Sequence, residues 1–381
     1  MKNTSEKSAE IFLREALRQA QCGLGATSPN PTVGAILVKS GKIIGRGRTA
    51  PAGGPHAEIE ALRDTQKRKC DPRGAILYVT LEPCSTHGRT PPCTEAIIAA
   101  GIKRVVIGAT DPNPRHAGRA FKILQRTGIE VVHGILADEC ARLNEAFNHW
   151  IVHRTPFVTV KAAMTLDGKI ATASGESKWI TGEKARAYGM KLRQGSDAIL
   201  VGVNTILADN PSLTARLVQS HKLRRIVLDS LARTPLDSKI VSDELAHLTT
   251  IVVSKNAPQN RVQTLSQKVN MLVAPTKSQV SNLKSQIDLR WLLKKLGAEN
   301  VTSLLVEGGG EVNASFLLNG LAQRVAFFYA PKILGGRDAH KAIAGDGVKN
   351  LADAIQLREI EWQKIGDDLL MTALVARGKK K

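Results

Sequence analysis

The chain has 381 residues, of which 43% are hydrophobic and 4% aromatic, and its formal net charge is +20. This length predicts more than one domain, and the composition excludes a collagen-like, disordered or disulfide-stapled protein. The positive charge suits nucleic acid and phosphorylated small molecules equally, but the few aromatic side chains disfavour a base-stacking surface.

The first half of the chain predicts alternating helices and strands. Apolar residues near helical spacing indicate a helix over residues 6–22, and two strands split by Ser40-Gly41 indicate a hairpin. From His56 onward the order is αβαβαβ, which predicts parallel strands joined by right-handed crossovers. The predicted bounds are strands 33–38, 42–47, 75–80, 104–109 and 129–135, helices 56–65, 92–100 and 118–126, and one closing helix 138–153.

Arg154-Thr155-Pro156 predicts a boundary between two domains, residues 1–153 and 154–381. The second domain predicts another α/β unit, with a polar surface loop over residues 276–285. Its predicted strands are 157–164, 198–203, 225–229, 250–254, 271–274, 303–306 and 325–330, and its predicted helices are 183–194, 289–296 and 312–318.

The sequence predicts neither a targeting segment nor a membrane span. The first ten residues are polar, and no apolar run approaches the ~20 residues that a span requires. The five cysteines form an odd, scattered set, which favours cytosolic thiols and metal ligation over disulfides. We therefore expect a soluble, cytoplasmic protein.

One histidine, two cysteines and one glutamate predict a metal site in the first domain. His56-Ala57-Glu58 opens a helix, Cys84 follows some 26 residues later, and Cys93 lies nine residues beyond Cys84. Two thiolates and one imidazole give zinc three ligands, and the open fourth position suits a water with a pKa of ~7. Glu58 can carry a proton between that water and a departing amine. The dipole of the helix that opens at Pro92 favours a thiolate at Cys93.

A structural zinc site, or ordinary thiols, is the alternative interpretation. A structural ion needs four protein ligands, and His87 and Cys70 are the nearby candidates for the fourth. The pattern H-x-E with P-C-x-x-C is the general signature of zinc deaminases, and here eight residues separate the two cysteines. The combination of three spaced ligands and the H-x-E glutamate favours catalysis.

Long motifs in both halves resemble one family. They are Ser28–Gly34, His56–Glu58, Thr80–Cys93, Asp111–Pro114 and Gly118-Arg119, then Lys161–Lys169, Ser174–Thr181, Leu207–Arg216 and Val306–Gly310. Their content and order are similar to the bifunctional deaminase/reductases of riboflavin biosynthesis. In that family the long insert between the two cysteines is a regular feature.

The resemblance implies an α/β fold in two parts: a cytidine-deaminase-like three-layer αβα domain, followed by a dihydrofolate-reductase-like α/β domain. It implies zinc-dependent deamination of a diamino-hydroxy-phosphoribosylamino-pyrimidine. NADPH-dependent reduction of the ribosyl chain then gives an amino-phosphoribitylamino-uracil. The expected cofactors are one Zn2+ ion and NADPH. The expected partner is a small phosphorylated pyrimidine, without nucleic acid or membrane, and we expect a homo-oligomer.

The second domain contains a glycine-rich turn, Gly308–Gly310, between a predicted strand and a predicted helix. Backbone N–H groups at such a helix start can bind phosphate, although a turn of this kind is more often only a connection. The GxGxxG pattern with a downstream acidic residue is missing, so a Rossmann domain is not predicted.

Residue roles in the second domain come from the resemblance, motif by motif. It implies cofactor positions at Ala163, Trp179, Thr205, Asp209, Ser230, Gly309, Gly310, Glu311, Val312, Asn313, Ala314 and Ser315. It implies substrate positions at Ser177, Arg193, Leu213, Arg216 and Glu307. Arg193 and Arg216 suit a substrate phosphate, because a guanidinium pairs with it bidentately.

Three functions remain open from the sequence. The leading hypothesis is the tandem deaminase/reductase. A nucleobase or tRNA deaminase with an unrelated C-terminal domain is favoured by the basic charge, but the motifs after residue 155 disfavour it. The third hypothesis is a nucleic-acid-binding module with structural zinc, which would show no turnover.

Overall fold

The computed structural model describes residues 2–87, 91–114, 116–215, 223–275 and 287–376, with side chains from residue 7 onward. The chain folds as two units, Met1–Arg154 and Thr155–Lys381. The division therefore lies one residue beyond the boundary that the sequence predicted. No helix within the described ranges is both long enough and apolar enough to span a membrane.

The first unit contains a five-stranded sheet with helices packed against it. Its strands are β1 (Gly34–Lys39), β2 (Lys42–Arg48), β3 (Ile76–Leu81), β4 (Arg104–Ala109) and β5 (Glu130–His133), in the order β2-β1-β3-β4-β5. Strand β1 is antiparallel to β2 and β3, whereas β3, β4 and β5 are parallel. The predicted hairpin and the predicted parallel strands are both present.

Six helices complete the first unit: α1 (Lys2–Gln21), α2 (Ala57–Lys67), α3 (Cys93–Ala99), α4 (Arg119–Arg126), α5 (Ala137–Leu143) and α6 (Glu145–His153). Leu13 and Leu17 of α1 are buried against the sheet. A Cβ at Gly34 would collide with the backbone of Ala16, so α1 lies directly on β1 at this glycine.

The single closing helix predicted over residues 138–153 is wrong. Two helices, α5 and α6, meet at Asn144, whose φ and ψ of −112° and 21° leave the helical region. The buried Asn144 side chain accepts from the Thr32 backbone N–H (2.8 Å) and donates to the Thr32 carbonyl oxygen (2.9 Å). The break places this amide against the loop before β1, and helical periodicity alone does not reveal such a contact.

The second unit contains a nine-stranded sheet and a two-stranded one. The large sheet has the order β11-β10-β9-β8-β12-β6-β13-β16-β15 and is parallel from β11 to β13, with antiparallel β16 and β15 at one edge. Its strands are β6 (Phe157–Thr165), β8 (Ala198–Gly202), β9 (Arg224–Leu228), β10 (Thr249–Val253), β11 (Asn270–Val273), β12 (Ser303–Val306), β13 (Arg324–Ala330), β15 (Leu357–Ile365) and β16 (Asp368–Val375); β7 (Lys169–Ala171) pairs with β14 (His340–Lys341).

The helices of the second unit connect these strands. They are α7 (Glu183–Gln194), α8 (Val203–Asp209), α9 (Lys239–Ser242), α10 (Gln259–Ser266), α11 (Leu289–Ala298) and α12 (Gly310–Leu318), with 3₁₀ turns at Ala246–Leu248 and Leu351–Asp353. The central parallel strands β8, β9, β10 and β12 are mostly buried, as strands covered on both faces should be, whereas the edge strand β11 is partly exposed.

Several elements of the second unit were missed from the sequence. These are α8, α9, α10, β7, β14 and the hairpin formed by β15 and β16. Strand β15 is exposed along nearly its whole length and carries charged residues in both alternating sets, so it lacks the period-2 pattern of a half-buried strand. The loop predicted over residues 276–285 lies outside the described residues.

Candidate active sites

The starts of two helices and the end of one strand bring the predicted zinc ligands together. His56 precedes α2, Cys84 follows β3, and Cys93 is the first residue of α3. The Nδ1 atom of His56 lies 3.4 Å from Cys84 Sγ and 3.3 Å from Cys93 Sγ. Over the described ranges, this is the one cluster of three or more histidine, cysteine or acidic side chains suited to a metal ion.

The donor set fits one zinc ion. Zn–S bonds of about 2.3 Å and Zn–N bonds of about 2.0 Å in a tetrahedral site separate sulfur and nitrogen ligands by about 3.6 Å. The observed separations are close to this value. His87 instead lies 3.4 Å from Glu95, and the Cys70 thiol donates to the Arg68 carbonyl oxygen. Neither candidate fourth ligand belongs to the cluster, so the site has the three-ligand composition of a catalytic zinc centre.

Glu58 lies in the first turn of α2 and is only 4% exposed. Burial raises the pKa of its carboxyl group to about 7, and the negative charge of Cys84 adds to this effect, whereas His56 opposes it. A carboxyl group with a pKa near neutrality can both accept and release a proton at physiological pH, which a proton shuttle requires.

A hydrogen bond couples the two thiols and shifts their pKa values in opposite directions. The Cys93 thiol donates to Cys84 and lowers the Cys84 pKa, although burial opposes this. The same hydrogen bond, together with burial, raises the Cys93 pKa. The Cys93 backbone N–H also donates to Cys84 Sγ at 3.2 Å. The start of α3 therefore also favours a thiolate at Cys84, in addition to the effect that the sequence predicts at Cys93.

A cleft of about 590 Å³ opens beside the His56 ring, between α2 and α3. Its walls are mostly apolar, with one cationic and one anionic side chain, Arg63 and Glu95. These two residues were not singled out from the sequence, because single charges on exposed helical turns are ordinary there.

Glu82 is a further residue that sequence reasoning missed. Its buried carboxylate accepts from the backbone N–H groups of Asp111 (3.1 Å), Gly118 (2.9 Å) and Ala120 (3.0 Å). It thereby fixes the segment after β4 to the end of β3, two residues before Cys84. The only available signal was its position within the Thr80–Cys93 motif.

Two predicted substrate residues of the second unit form an ion pair. Arg193 of α7 donates through Nε and Nη2 to the two Glu307 carboxylate oxygens, at 2.8 and 3.0 Å. The Lys161 ammonium lies 3.5 Å from the same carboxylate. Burial alone would raise the Glu307 pKa, but Lys161 and Arg193 outweigh it and lower that pKa to about 2. Glu307 is thus a charged, nearly buried acceptor, and Lys161 is a member of the site that the sequence did not single out.

Leu213 lies in the segment between α8 and β9. It is buried and adopts a left-handed backbone conformation, with φ of 50°. Arg193 Nη1 also donates to the neighbouring Thr214 carbonyl oxygen at 3.2 Å. Leu213 is therefore connected to the Arg193–Glu307 pair through one residue of backbone. Arg216 lies outside the described residues.

The glycine turn forms the start of α12. A Cβ at Gly310 would overlap the Lys341 carbonyl oxygen, whereas a Cβ at Gly309 would meet no described heavy atom within 4 Å. Asn313 is buried and donates to the Ala342 carbonyl oxygen at 2.9 Å, while its Oδ1 has no partner among the described residues. The open Gly309 leaves room for a phosphate-bearing cofactor at the backbone N–H groups of this helix start, whereas the orphaned Asn313 oxygen is an acceptor and would suit an N–H or O–H group instead.

Four of the remaining predicted residues lie near the carboxyl ends of parallel strands, where ligands bind in open α/β sheets, and the other two lie in the connection after β7 of the two-stranded sheet. Ala163 lies late in β6, Thr205 and Asp209 lie in α8 after β8, Ser230 follows β9, and Ser177 and Trp179 lie between β7 and α7.

Two contacts tie Trp179 and its neighbour to other elements of the second unit. The Trp179 ring is 65% exposed, and the Arg186 guanidinium lies 4.5 Å from its centre. Lys178 Nζ lies 4.0 Å from Asp209 Oδ1. This second contact connects the Trp179 loop to the end of α8, so two predicted cofactor segments lie side by side.

Comparison with known proteins covers both units. The family model described as the cytidine and deoxycytidylate deaminase zinc-binding region matches residues 6–109, and the model described as the RibD C-terminal domain matches residues 156–371. The riboflavin biosynthesis protein RibD of Actinobacillus pleuropneumoniae is 44% identical over 364 residues, covering 96% of this chain and 94% of that protein. The Escherichia coli RibD is 39% identical over 377 residues, covering 95% and 98%.

Solved structures agree with the sequence comparisons. RibD of Acinetobacter baumannii superimposes with a TM-score of 0.84 at 33% identity, covering 98% of this chain and all of that one. The second structure is the Thermotoga maritima diaminohydroxyphosphoribosylaminopyrimidine deaminase/5-amino-6-(5-phosphoribosylamino)uracil reductase. It gives a TM-score of 0.83 at 36% identity, with the same coverage.

Proposed function

The chain belongs to the RibD family, the bifunctional deaminase/reductases of riboflavin biosynthesis, and on this premise we propose which of its residues perform each of the two steps. The enzyme is a zinc-dependent deaminase and an NADPH-dependent reductase. The family match to residues 156–371 makes the alternative of an unrelated C-terminal domain wrong. We assign the deaminase to residues 1–153 and the reductase to residues 154–381.

The observation that carries the deaminase proposal is the buried Glu58 beside three converging ligands. His56, Cys84 and Cys93 would hold the zinc ion. Zinc in such a site supplies a water that is deprotonated near neutral pH. Glu58 takes up the proton released by this water and delivers it to the amine nitrogen that leaves the pyrimidine as ammonia. Its near-neutral pKa suits both halves of that transfer.

A Glu58→Gln variant tests this role, because glutamine keeps the shape and removes the titratable group. We expect deaminase turnover to fall about 1,000-fold, while the chain retains one zinc ion and its reductase activity. Glu60→Gln is the matched control, since Glu60 lies two residues further along α2, on a different side of the helix, and pairs with Arg63 at 2.9 Å. Turnover of Glu58→Gln within tenfold of the wild type would contradict the proposal, as would equal losses in both variants.

In the reductase, NADPH supplies the hydride. We propose that Gly309, Gly310, Glu311, Val312, Asn313, Ala314 and Ser315 hold the cofactor together with Ala163, Trp179, Thr205, Asp209 and Ser230. The carboxylate of Glu307 is an acceptor, so it suits an N–H or O–H group of the substrate. Arg193 holds this carboxylate in place, since its Nε and Nη2 both donate to it. Ser177 and Leu213 complete the substrate site, and Arg216 would bind the phosphate.

The reductase proposal is tested by NADPH oxidation with 5-amino-6-(5-phosphoribosylamino)uracil on the full chain. We expect Arg216→Ala to raise the KM for this substrate by at least about tenfold and to leave the KM for NADPH nearly unchanged. Arg290→Ala removes an exposed arginine that donates to the Asn319 carbonyl oxygen and serves as the control. The same rise in both KM values would contradict the phosphate role, and a wild-type chain that oxidises no NADPH would overturn the reductase assignment.

We further propose that the enzyme works in the cytoplasm as a soluble homo-oligomer and binds no nucleic acid. Strand β15 supports self-association, because it is a sheet edge with Ile360 and Trp362 more than half exposed. Light scattering should give a multiple of 41.0 kDa. The absence of tRNA binding at low salt would agree with the small-molecule role of the positive charge.

A further inference from the structure

The segment between α8 and β9 carries Leu213, which we have proposed as a substrate residue. The described part of this segment, residues 210–215, contains no helix or strand. Its backbone conformation is not a relaxed one, since Leu213 has a φ of 50°. A non-glycine residue keeps such a conformation only when its surroundings hold it there, so the contacts that hold this segment determine the shape of the substrate site.

Arg225, in β9, provides one of these contacts and is only 1% exposed. Its Nη1 donates to the Ser212 carbonyl oxygen at 3.1 Å, immediately before Leu213. The carbonyl oxygen before Leu213, that of Ser212, accepts from Arg225. The carbonyl oxygen after Leu213, that of Thr214, accepts from Arg193. Leu213 is thus held from both sides.

The Arg225 guanidinium is itself fixed by four other hydrogen bonds. Nε donates to Thr249 Oγ1 (2.9 Å), Nη2 donates to the Ile240 carbonyl oxygen (3.2 Å), and Nη1 and Nη2 donate to the two Asp243 oxygens (2.7 and 2.8 Å). All five N–H groups of the guanidinium therefore have acceptors, and Asp243 balances the charge. Four of the bonds hold the guanidinium against α9, its C-terminal end and β10. The fifth bond reaches the segment that carries Leu213.

We infer that Arg225 is a positioning residue of the reductase, which holds the Leu213 turn in the shape that receives the pyrimidine substrate. The inference rests on the proposed role of Leu213. Among the five hydrogen bonds of Arg225, the one to the Ser212 carbonyl oxygen is the contact with the Leu213 turn, so the loss of this bond should affect binding of the pyrimidine and not the deaminase site. If the Arg225–Asp243 pair served stability alone, breaking it would weaken binding of the pyrimidine and of NADPH alike.

The test compares Arg225→Lys with Arg224→Lys in the full chain. Lysine has three donors and no fork, so it cannot replace five directed N–H groups. We expect Arg225→Lys to raise the KM for 5-amino-6-(5-phosphoribosylamino)uracil about tenfold, with kcat, the KM for NADPH and deaminase activity changed less than about twofold. Arg224 pairs with Glu299 at 2.6 Å near the surface, so Arg224→Lys should leave all four quantities unchanged.

A second variant guards against failure of the first to fold. Thr249→Val removes one anchor of the guanidinium at nearly constant volume, and it should raise the same KM by a smaller factor. A lowered melting temperature with an unchanged KM for the pyrimidine, in either variant, overturns the inference, and so do equal rises in both KM values. A wild-type chain without reductase activity would instead count against the proposed function, so the two failures are distinguishable.

Discussion

Replacing Glu307 by glutamine removes one negative charge from the second unit without changing the shape of the side chain. In the wild type this carboxylate accepts two hydrogen bonds from Arg193 and lies 3.5 Å from the Lys161 ammonium. The substitution leaves two cations facing each other with no anion between them, and it turns one acceptor oxygen into a donor that faces the Arg193 N–H groups.

The size of the effect follows from the pKa of the carboxyl group. The pKa of Glu307 falls from an ordinary value of 4.5 to about 2, and burial opposes the fall while Lys161 and Arg193 cause it. At 1.36 kcal/mol per pKa unit, the ionised carboxylate stabilises the folded state by about 3 kcal/mol at neutral pH. The cost of breaking a buried ion pair by removing one partner, about 3–5 kcal/mol, agrees with this figure.

Hydrogen–deuterium exchange on the full chain measures this loss within one domain. Amides of β12 and β6 exchange through opening of the second unit, so a loss of about 3 kcal/mol should speed their exchange about 100-fold at pH 7. Peptides from residues 1–154 serve as the internal reference. Because the folded-state pKa is depressed, the contribution is complete above pH 4.5 and fades as the pH falls towards 2, so the two proteins should converge in acid.

Glu299→Gln is the matched control, since Glu299 pairs with Arg224 at 2.6 Å but is about one-third exposed. An exposed pair contributes about 0–1 kcal/mol, so exchange in this variant should change less than about fivefold. If Glu307→Gln speeds exchange no more than Glu299→Gln does, the Glu307 carboxylate is not held as a buried charge and does not stabilise the second unit by about 3 kcal/mol.

Three further predictions concern the metal, the glycine turn and the break between α5 and α6. Chelation of zinc should abolish deamination and leave NADPH oxidation intact in the same sample, and zinc should restore the lost activity; loss of both activities would contradict separate sites. Gly309→Ala should raise the KM for NADPH at an unchanged melting temperature, whereas Gly310→Ala, whose Cβ overlaps the Lys341 carbonyl oxygen, should lower that temperature by about 5 °C. Asn144→Ala leaves the buried Thr32 N–H and carbonyl groups unpaired and should destabilise the first unit by about 2 kcal/mol, measured by hydrogen exchange, with the second unit as reference.

The deaminase residues could be predicted from the sequence because their chemistry is specific to residue type. Histidine and cysteine are usual zinc ligands, and His56 immediately precedes the helix whose first turn contains Glu58, so their relative placement is set locally. The long motifs then identified the family, which the comparisons confirm. The hydrogen bond from the Cys93 backbone N–H to Cys84 Sγ was not predictable, since it depends on where the segment between the two cysteines places the first sulfur.

The reductase site depends on contacts between residues far apart in the chain. Lys161 and Glu307 are separated by 146 positions and lie on strands β6 and just after β12, which become neighbours only in the folded sheet. Lysine, arginine and glutamate are common surface residues, so their identity alone gives no signal of a buried pair. The same holds for Asn144, whose partner Thr32 lies 112 positions away. Periodicity describes one element at a time and cannot detect either contact.

The two sites therefore differ in what a substitution can reveal. In the proposed deaminase mechanism, the ligands and Glu58 act directly on the reacting atoms, so a change there should remove turnover and leave the fold intact. In the proposed reductase site, Arg193 would act through a carboxylate and Arg225 through a backbone carbonyl group, and both are ion-pair partners with little exposure. Activity loss alone cannot separate their role in binding from their role in stability. Measuring the KM for the pyrimidine and the KM for NADPH separately distinguishes the two roles. A positioning residue affects the KM for the pyrimidine alone, whereas a loss of stability does not act on one substrate only.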